Sequence, residues 1–234
     1  MSIFFLSISF YMMVTMRYTH ALGDYVLEFI GLKPWTGDYS GAHLTVFYFS
    51  ALAIIGLFLV RKYAMDGLGI RTRNLLFSFI AFITIFSLLT NITAINVKKY
   101  SDGLLSIGFN SNNSKMEYKS ESMEYTEFNA QIEMKNYGNE SKEFYLAIDN
   151  PFYREESTEH IDIFTKEGSK ATFRLNGNET RTFEINLDEY KIKGGRLSIN
   201  GGSNGIIEEI FLTNAQGNAI SLESNNFFGI EMNR

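Results

Sequence analysis

The chain has 234 residues, no cysteine and a formal net charge of −5, which excludes disulfides, thiolate metal sites and thiol nucleophiles. Residues 1–97 carry six Lys/Arg and four Asp/Glu, whereas residues 98–234 carry fifteen Lys/Arg and twenty-two Asp/Glu. Because a phosphate backbone is bound by clustered Lys/Arg, the acidic second part argues against a nucleic acid as partner.

The first apolar run is "SIFFLSISFYMMVTM", residues 2–16. It is short, because about 20 apolar residues are needed to cross a bilayer core. A signal peptide is the alternative, but no basic residue precedes the run, and the small-x-small pair Ala21 and Gly23 lies beyond Arg17. We therefore predict a retained, short first membrane span.

Two further apolar runs predict membrane spans at residues 42–60 and 75–97. Asn91, Thr93 and Asn96 lie near the far end of the third span. Side chains of this kind form hydrogen bonds between helices, so they are candidate partner contacts, with lipid headgroups as the alternative. Residues 1–97 are thus predicted to be a region of three transmembrane helices in the lipid bilayer.

The orientation in the cell membrane is predicted from the basic residues of the loops. Four Lys/Arg lie within residues 61–74, and four lie on the competing side, so the counts are equal. The higher density in the short 61–74 loop favours a cytoplasmic position for it. This orientation places the 17–41 loop and the domain of residues 98–234 outside the cytoplasm.

The loop between the first two runs contains the main candidates for chemistry. In "RYTHALGDYVLEFIGLKPWTGDYSGAH", His20 and Asp24 are one helical turn apart, and Asp38 and His43 follow. Imidazole and carboxylate groups at such spacing bind Zn²⁺ or similar ions. A small membrane metalloenzyme that uses these four residues is therefore one functional hypothesis.

The same loop has a second interpretation as an amphipathic helix over about residues 18–31. Its apolar stripe consists of Leu22, Tyr25, Val26 and Phe29, opposite the polar residues. Such a helix lies in the membrane interface with its polar face in water. No HExxH motif or other compact metal signature occurs in the chain. We favour this interpretation, and we predict no catalytic residue and no cofactor.

Beyond residue 98 the apolar residues alternate, which predicts half-buried strands. In "EFNAQIEMKNYG" and "KEFYLAIDNP" every second residue is apolar, and turn clusters such as "LNGNET" and "NGGSNG" separate further short runs. Nine or ten strands spaced in this way predict an antiparallel β-sandwich or jelly roll over residues 98–234.

The turns of this region carry a resemblance. "IEMKNYGNESKEFYLAI" followed by "RLNGNETRTFEINL" resembles bacterial immunoglobulin-like and jelly-roll modules. "GGSNGIIEEIFLTNAQGNAISL" is similar to the closing strands of carbohydrate-binding jelly rolls. The resemblance covers about residues 125–222 and implies an architecture without naming a ligand.

Three functions follow as hypotheses, and we favour the first. It is a non-enzymatic integral membrane protein whose sandwich binds a partner protein or serves as the accessory or sensor subunit of a membrane complex. The second is a membrane-tethered module that binds cell-surface glycans. This hypothesis predicts either an aromatic platform, with Phe152, Tyr153 and Tyr190 as candidates, or a Ca²⁺ site near His160, with Glu155, Glu156, Glu159 and Asp162 as candidates. The third is the metalloenzyme.

Overall fold

A computed structural model describes residues 1–14, 20–37, 41–149, 160–195, 197, 199–224 and 226–232. The chain divides into two compact units, Met1–Thr93 and Ala94–Arg234. The second unit begins at Ala94, four residues before the domain boundary that the sequence predicts at residue 98.

The first unit is helical. Its helices are α1 (Ser2–Met12), α2 (Leu22–Phe29), α3 (Leu44–Leu59), which continues as a π-helix (Val60–Gly67), and α4 (Thr72–Tyr100), which extends into the second unit. Among the described residues, two segments, Leu44–Gly67 and α4, are long and apolar enough to cross a membrane. The prediction of three transmembrane helices is wrong in this respect, because the eleven residues of α1 extend only about 16 Å.

Helix α1 nevertheless packs against both longer helices. Leu6 lies against Gly56 of α3, where an added Cβ atom would be 3.1 Å from the Leu6 Cα atom. Small residues allow this close approach of two membrane helices. On its other side, the Tyr11 hydroxyl lies 2.8 Å from Thr90 Oγ1 of α4. The short helix therefore connects α3 to α4.

The described residues of the second unit form eleven strands. They are β1 (Ile107–Glu121), β2 (Glu124–Asn136), β3 (Lys142–Ile148), β4 (Ile161–Thr165), β5 (Thr172–Leu175), β6 (Thr180–Asn186), β7 (Tyr190–Gly194), β8 (Asn200–Ile206), β9 (Glu209–Thr213), β10 (Ala219–Glu223) and β11 (Asn226–Met232). One sheet has the order β6-β2-β1-β8. The other has the order β11-β10-β9-β3-β4-β7, with β5 also paired to β3. The prediction of an antiparallel all-β domain is confirmed.

The predicted alternation of buried and exposed residues is also observed. The apolar residues of β2 and β3 are buried in one hydrophobic core, while their neighbours along each strand are more exposed: Phe128, Ala130, Ile132, Met134, Phe144, Leu146 and Ile148. Because these two strands belong to different sheets, their inward faces form the centre of the sandwich.

The last turn of α4 belongs to the same unit as the strands. Lys98 in this turn is fully buried. Its Nζ atom donates hydrogen bonds to the carbonyl oxygens of Leu105 (2.8 Å), Ile107 (2.6 Å) and Phe228 (3.1 Å). The buried Lys98 side chain therefore joins the end of α4 to the start of β1 and to β11.

Candidate functional site

The loop that carries the predicted ligands forms a buried polar cluster around Asp24 of α2. The Asp24 side chain is 1% exposed. Its Oδ1 atom lies 2.7 Å from His43 Nε2 and accepts a 2.5 Å hydrogen bond from Thr45 Oγ1. The Trp35 indole N–H donates to Oδ2 over 3.4 Å. We call these four residues the Asp24 cluster.

Two local features position the cluster. Trp35 and His43 form an isolated antiparallel bridge, and their rings stack with centroids 4.1 Å apart and planes inclined by 10°. Gly23 brings α2 against α3, since an added Cβ atom would lie 2.6 Å from Thr45 Cγ2 and 2.7 Å from Phe49 Cε2. The Asp24 carboxylate therefore lies next to the first turn of α3.

The structure brings together two of the four predicted metal ligands, Asp24 and His43. His20 does not join them, because the described residues contain no group of three or more His, Cys, Asp or Glu side chains that could hold a metal ion. Asp38 lies outside the described residues. The side chains that do complete the cluster are hydrogen-bond donors, Thr45 and Trp35, which satisfy the carboxylate without a metal.

The prediction that Asp24 of α2 faces water is wrong. The helix buries Asp24 and Leu27 and exposes three of the four residues of the apolar stripe, with Phe29 exposed to 91% and Leu22 half-buried. A carboxylate can be buried when hydrogen-bond donors satisfy it, and the Asp24 cluster supplies three. The exposed stripe of Tyr25, Val26 and Phe29 remains suited to the membrane interface.

The predicted partner contacts lie on the surface of α4. Asn91, Thr93 and Asn96 are all exposed. The Thr93 hydroxyl donates to the carbonyl oxygen of Leu89 in its own helix over 2.9 Å. Within the described part of the chain, neither asparagine carboxamide forms a side-chain hydrogen bond. Both carboxamides are thus exposed to whatever surrounds this part of α4, whether a partner helix, lipid headgroups or water.

A cleft of about 840 Å³ lies at one end of the sandwich. Its walls come from the β1–β2 turn and from β7 with its flanking residues. Its lining combines apolar side chains, two tyrosines and three lysines: Leu187, Ile192, Leu197, Tyr125, Tyr190, Lys166, Lys191 and Lys193. We call it the lysine cleft.

Both tyrosines of the lysine cleft pack against core rings. Tyr125 lies edge-to-face against Tyr118 and Phe128, with centroid distances of 5.6 and 5.4 Å. Tyr190 lies 5.8 Å from Phe173. Burial raises the pKa of Tyr125, and the neighbouring Tyr118 raises it further. These rings belong to the packing of the sandwich rather than to a free stacking surface.

This packing bears on the glycan hypothesis. Among the described residues of the strands and their connections, every aromatic side chain is buried or half-buried. Phe152, Tyr153, Glu155, Glu156 and Glu159 lie outside the described residues. Of the three residues predicted for an aromatic platform, Tyr190 alone lies among the described residues, and it is half-buried.

The seven-stranded sheet contains a carboxylate whose ionised form is destabilised by its surroundings. Glu209 of β9 is directly opposite Glu223 of β10. Burial raises the pKa of Glu209, and the charges of Glu223 and Asp149 raise it further, against the opposing effect of a hydrogen bond from Ser221. Ionised Glu209 is therefore less favourable in the folded chain than in the unfolded chain.

Replacing Glu209 with glutamine is expected to stabilise the sandwich at neutral pH. When the pKa of a carboxyl group is raised in the folded state, the free energy of unfolding decreases as the pH increases from the ordinary pKa through the raised value. Glutamine stays neutral and still accepts the Ser221 bond, so we expect a gain of about 0.5 kcal/mol at pH 7, as for a relieved like-charge pair. Calorimetry at pH 7 and pH 4 tests this, because the gain must disappear at the lower pH.

No protein-family model, curated protein or solved structure matches the chain. The chain's own geometry is therefore the basis on which its function is inferred.

Proposed function

We propose that the chain is a non-enzymatic integral membrane protein that serves as the accessory or sensor subunit of a membrane complex. The segments Leu44–Gly67 and Thr72–Tyr100 cross the cell membrane. The sandwich lies outside the cytoplasm, in the orientation favoured by the basic 61–74 loop. There it acts as the interaction module.

The observation that supports this proposal is the pair of exposed carboxamides on α4. Asn91 and Asn96 have no side-chain hydrogen bond within the described chain. Asn91 belongs to the helical unit, and an amide without a partner in a water-free environment costs roughly 2–7 kcal/mol on full desolvation. A helix of another membrane protein would satisfy both groups, and it would also cover the apolar surface of α4.

The test is the double variant Asn91→Leu and Asn96→Leu, compared with the natural protein in its own membrane. Interhelical hydrogen bonds of this type contribute about 1 kcal/mol each, so the loss of two should weaken association at least tenfold. The measurement is cross-linking in the membrane, followed by detergent solubilisation, affinity purification and quantitative mass spectrometry of the captured membrane protein.

Thr84→Val is the matched control on the same helix. Thr84 is also exposed, but its hydroxyl already donates to the Ile80 carbonyl oxygen over 2.9 Å. Its replacement should leave the amount of captured partner unchanged. If the natural protein is recovered alone, or if the double variant retains its partner in full, the accessory-subunit proposal is wrong.

A further inference from the structure

We propose that a groove in the helical unit binds one anionic phospholipid, whose acyl chain occupies the groove and whose phosphate contacts Lys62 and Arg71. The inference deepens the proposed function and rests on it, because it requires that Leu44–Gly67 and α4 cross the cell membrane. Three features of the described residues support it: an apolar groove, the π-helix that forms one wall, and an excess of basic side chains at the rim.

The groove has a volume of about 600 Å³, and pockets for small molecules commonly have roughly 300–1,000 Å³. The start of α1, the end of α3, the π-helix and the connection to α4 supply its apolar lining, which includes Ile3, Phe4, Leu59, Ala64, Leu68 and Ile70. Ala64 is 3% exposed, whereas Leu68 is 75% exposed. The groove therefore has a floor within the protein and a wall that is open to the acyl chains of a surrounding bilayer. We call it the lipid groove.

The π-helix, Val60–Gly67, contributes Tyr63 and Ala64 to the lipid groove. π-Helices are rare, and they occur frequently at functional sites. Just beyond this π-helix, the Ile70 N–H donates to the Ala64 carbonyl oxygen over 3.0 Å. Ala64 and Ile70 also pack in the same small hydrophobic cluster of the helical unit. The floor of the groove is therefore formed by the packed end of the span.

Two cations lie at the rim. The Lys62 Nζ atom is 5.5 Å from the centroid of the Tyr63 ring, which lines the groove. Arg71 directly follows Ile70, another lining residue. Both basic side chains are exposed, and neither forms an ion pair with a described carboxylate. They are therefore available to a phosphate group at the mouth of the groove.

The charge around this rim is positive. Residues 61–74 contain a single carboxylate, that of Asp66, and four basic side chains, those of Arg61, Lys62, Arg71 and Arg73. Asp66 is the only Asp or Glu in residues 39–101, and residues 1–16 contain no charged side chain. Because four positive charges face one negative charge in this segment, an anionic headgroup is favoured over a neutral one.

The combination of groove and rim determines the ligand. A free phosphate would contact the cations but leave the apolar groove unfilled, and a lipid without net charge would fill the groove but leave the cations without a partner. An anionic phospholipid does both. The orientation predicted from the same basic residues places the rim at the cytoplasmic surface, where the leaflet contains anionic lipids.

The probe is palmitoyl-oleoyl phosphatidylglycerol, titrated into the full-length protein in a nonionic detergent. Native mass spectrometry counts the lipid molecules that each chain retains. We expect saturation at one lipid per chain, with an affinity at least fivefold higher than for phosphatidylcholine with the same acyl chains. Glycerol phosphate in large excess should not displace the lipid, because it has no acyl chain to fill the groove.

The rim is tested by a pair of charge-removing changes. The double variant Lys62→Gln and Arg71→Gln should bind phosphatidylglycerol at least tenfold more weakly, because both attractions to the phosphate are lost. The control pair Lys33→Gln and Lys99→Gln removes the same charge from exposed positions near the opposite ends of the two spans. It should bind the lipid as the natural protein does.

The apolar wall is tested by Leu68→Gln. Leu68 is exposed, so its replacement should leave the fold intact, but a polar wall should weaken lipid binding at least threefold. Leu32→Gln is the control, because Leu32 is also exposed and lies outside the groove. It should not change the affinity.

Five outcomes would overturn the inference. They are equal affinity for the two lipids, retention without saturation, equal weakening by the two charge pairs, unchanged binding in Leu68→Gln, and displacement by glycerol phosphate. A chain that captures its membrane partner but retains no lipid contradicts this inference alone. A chain that retains the lipid but captures no partner contradicts the proposed function alone, so the two failures are distinguishable.

Discussion

Replacing Lys98 with methionine is expected to lower the melting temperature of the sandwich by about 10 °C. Methionine has a similar length but no donor, so the carbonyl oxygens of Leu105, Ile107 and Phe228 lose a buried partner together. Unsatisfied buried acceptors cost roughly 1–3 kcal/mol each before relaxation, which gives an expected loss of about 3 kcal/mol. Circular dichroism of the strand signal in the detergent-solubilised protein measures the transition.

Lys99 offers a matched control in the same helical turn. It is exposed, and its Nζ atom lies 5.8 Å from the centroid of the Tyr100 ring. Lys99→Met should change the melting temperature by no more than about 2 °C, as for an exposed charge. A Lys98 variant as stable as the Lys99 variant would show that the three bonds do not hold the helix end to the strands.

The second large effect is expected for Asp24→Ala. This change leaves His43, Thr45 and the Trp35 indole without their shared acceptor. Removal of one member of a buried polar group of this kind costs about 3 kcal/mol. Trp35 is the only tryptophan of the chain, so its fluorescence reports on this loop alone. We expect a red-shifted emission maximum and greater quenching by acrylamide.

Glu28→Ala is the control for this prediction. Glu28 lies on the same helix, carries the same charge and is exposed. Its replacement should leave the emission maximum of Trp35 unchanged within about 1 nm, since an exposed carboxylate contributes little to stability. If the two variants give the same spectrum, the Asp24 cluster does not order the loop.

The sequence predicts correctly those strands in which apolar and polar residues alternate. Strands β2 and β3 alternate apolar and polar residues, so their inward faces follow from their own sequence. Strand β8, "NGGSNGI", was predicted as a turn because of its glycines. It is a strand because it pairs with β1, from Lys115↔Ile206 to Glu121↔Asn200. Pairing between residues this distant in sequence cannot be inferred from the strand itself.

The Asp24 cluster shows that a site, like a strand, cannot be predicted fully from its own stretch of sequence. The sequence placed Asp24 and His43 among the candidates, but the apolar stripe of α2 predicted that Asp24 would face water. Its orientation is decided by donors at positions 35, 43 and 45, which lie 11 to 21 residues away along the chain. The pattern within one helix contains no information about such partners.

The position of β1 has a consequence for how the domain forms during synthesis. This strand lies inside the four-stranded sheet, between β2 and β8, yet about 80 residues separate it from β8. Until residues 200–206 have been synthesised, one side of β1 has no partner strand. Pairing over such distances slows folding to milliseconds or seconds and exposes a bare strand in the meantime. The β1–β2 hairpin is thus the stretch most in need of protection from aggregation while the nascent chain is completed.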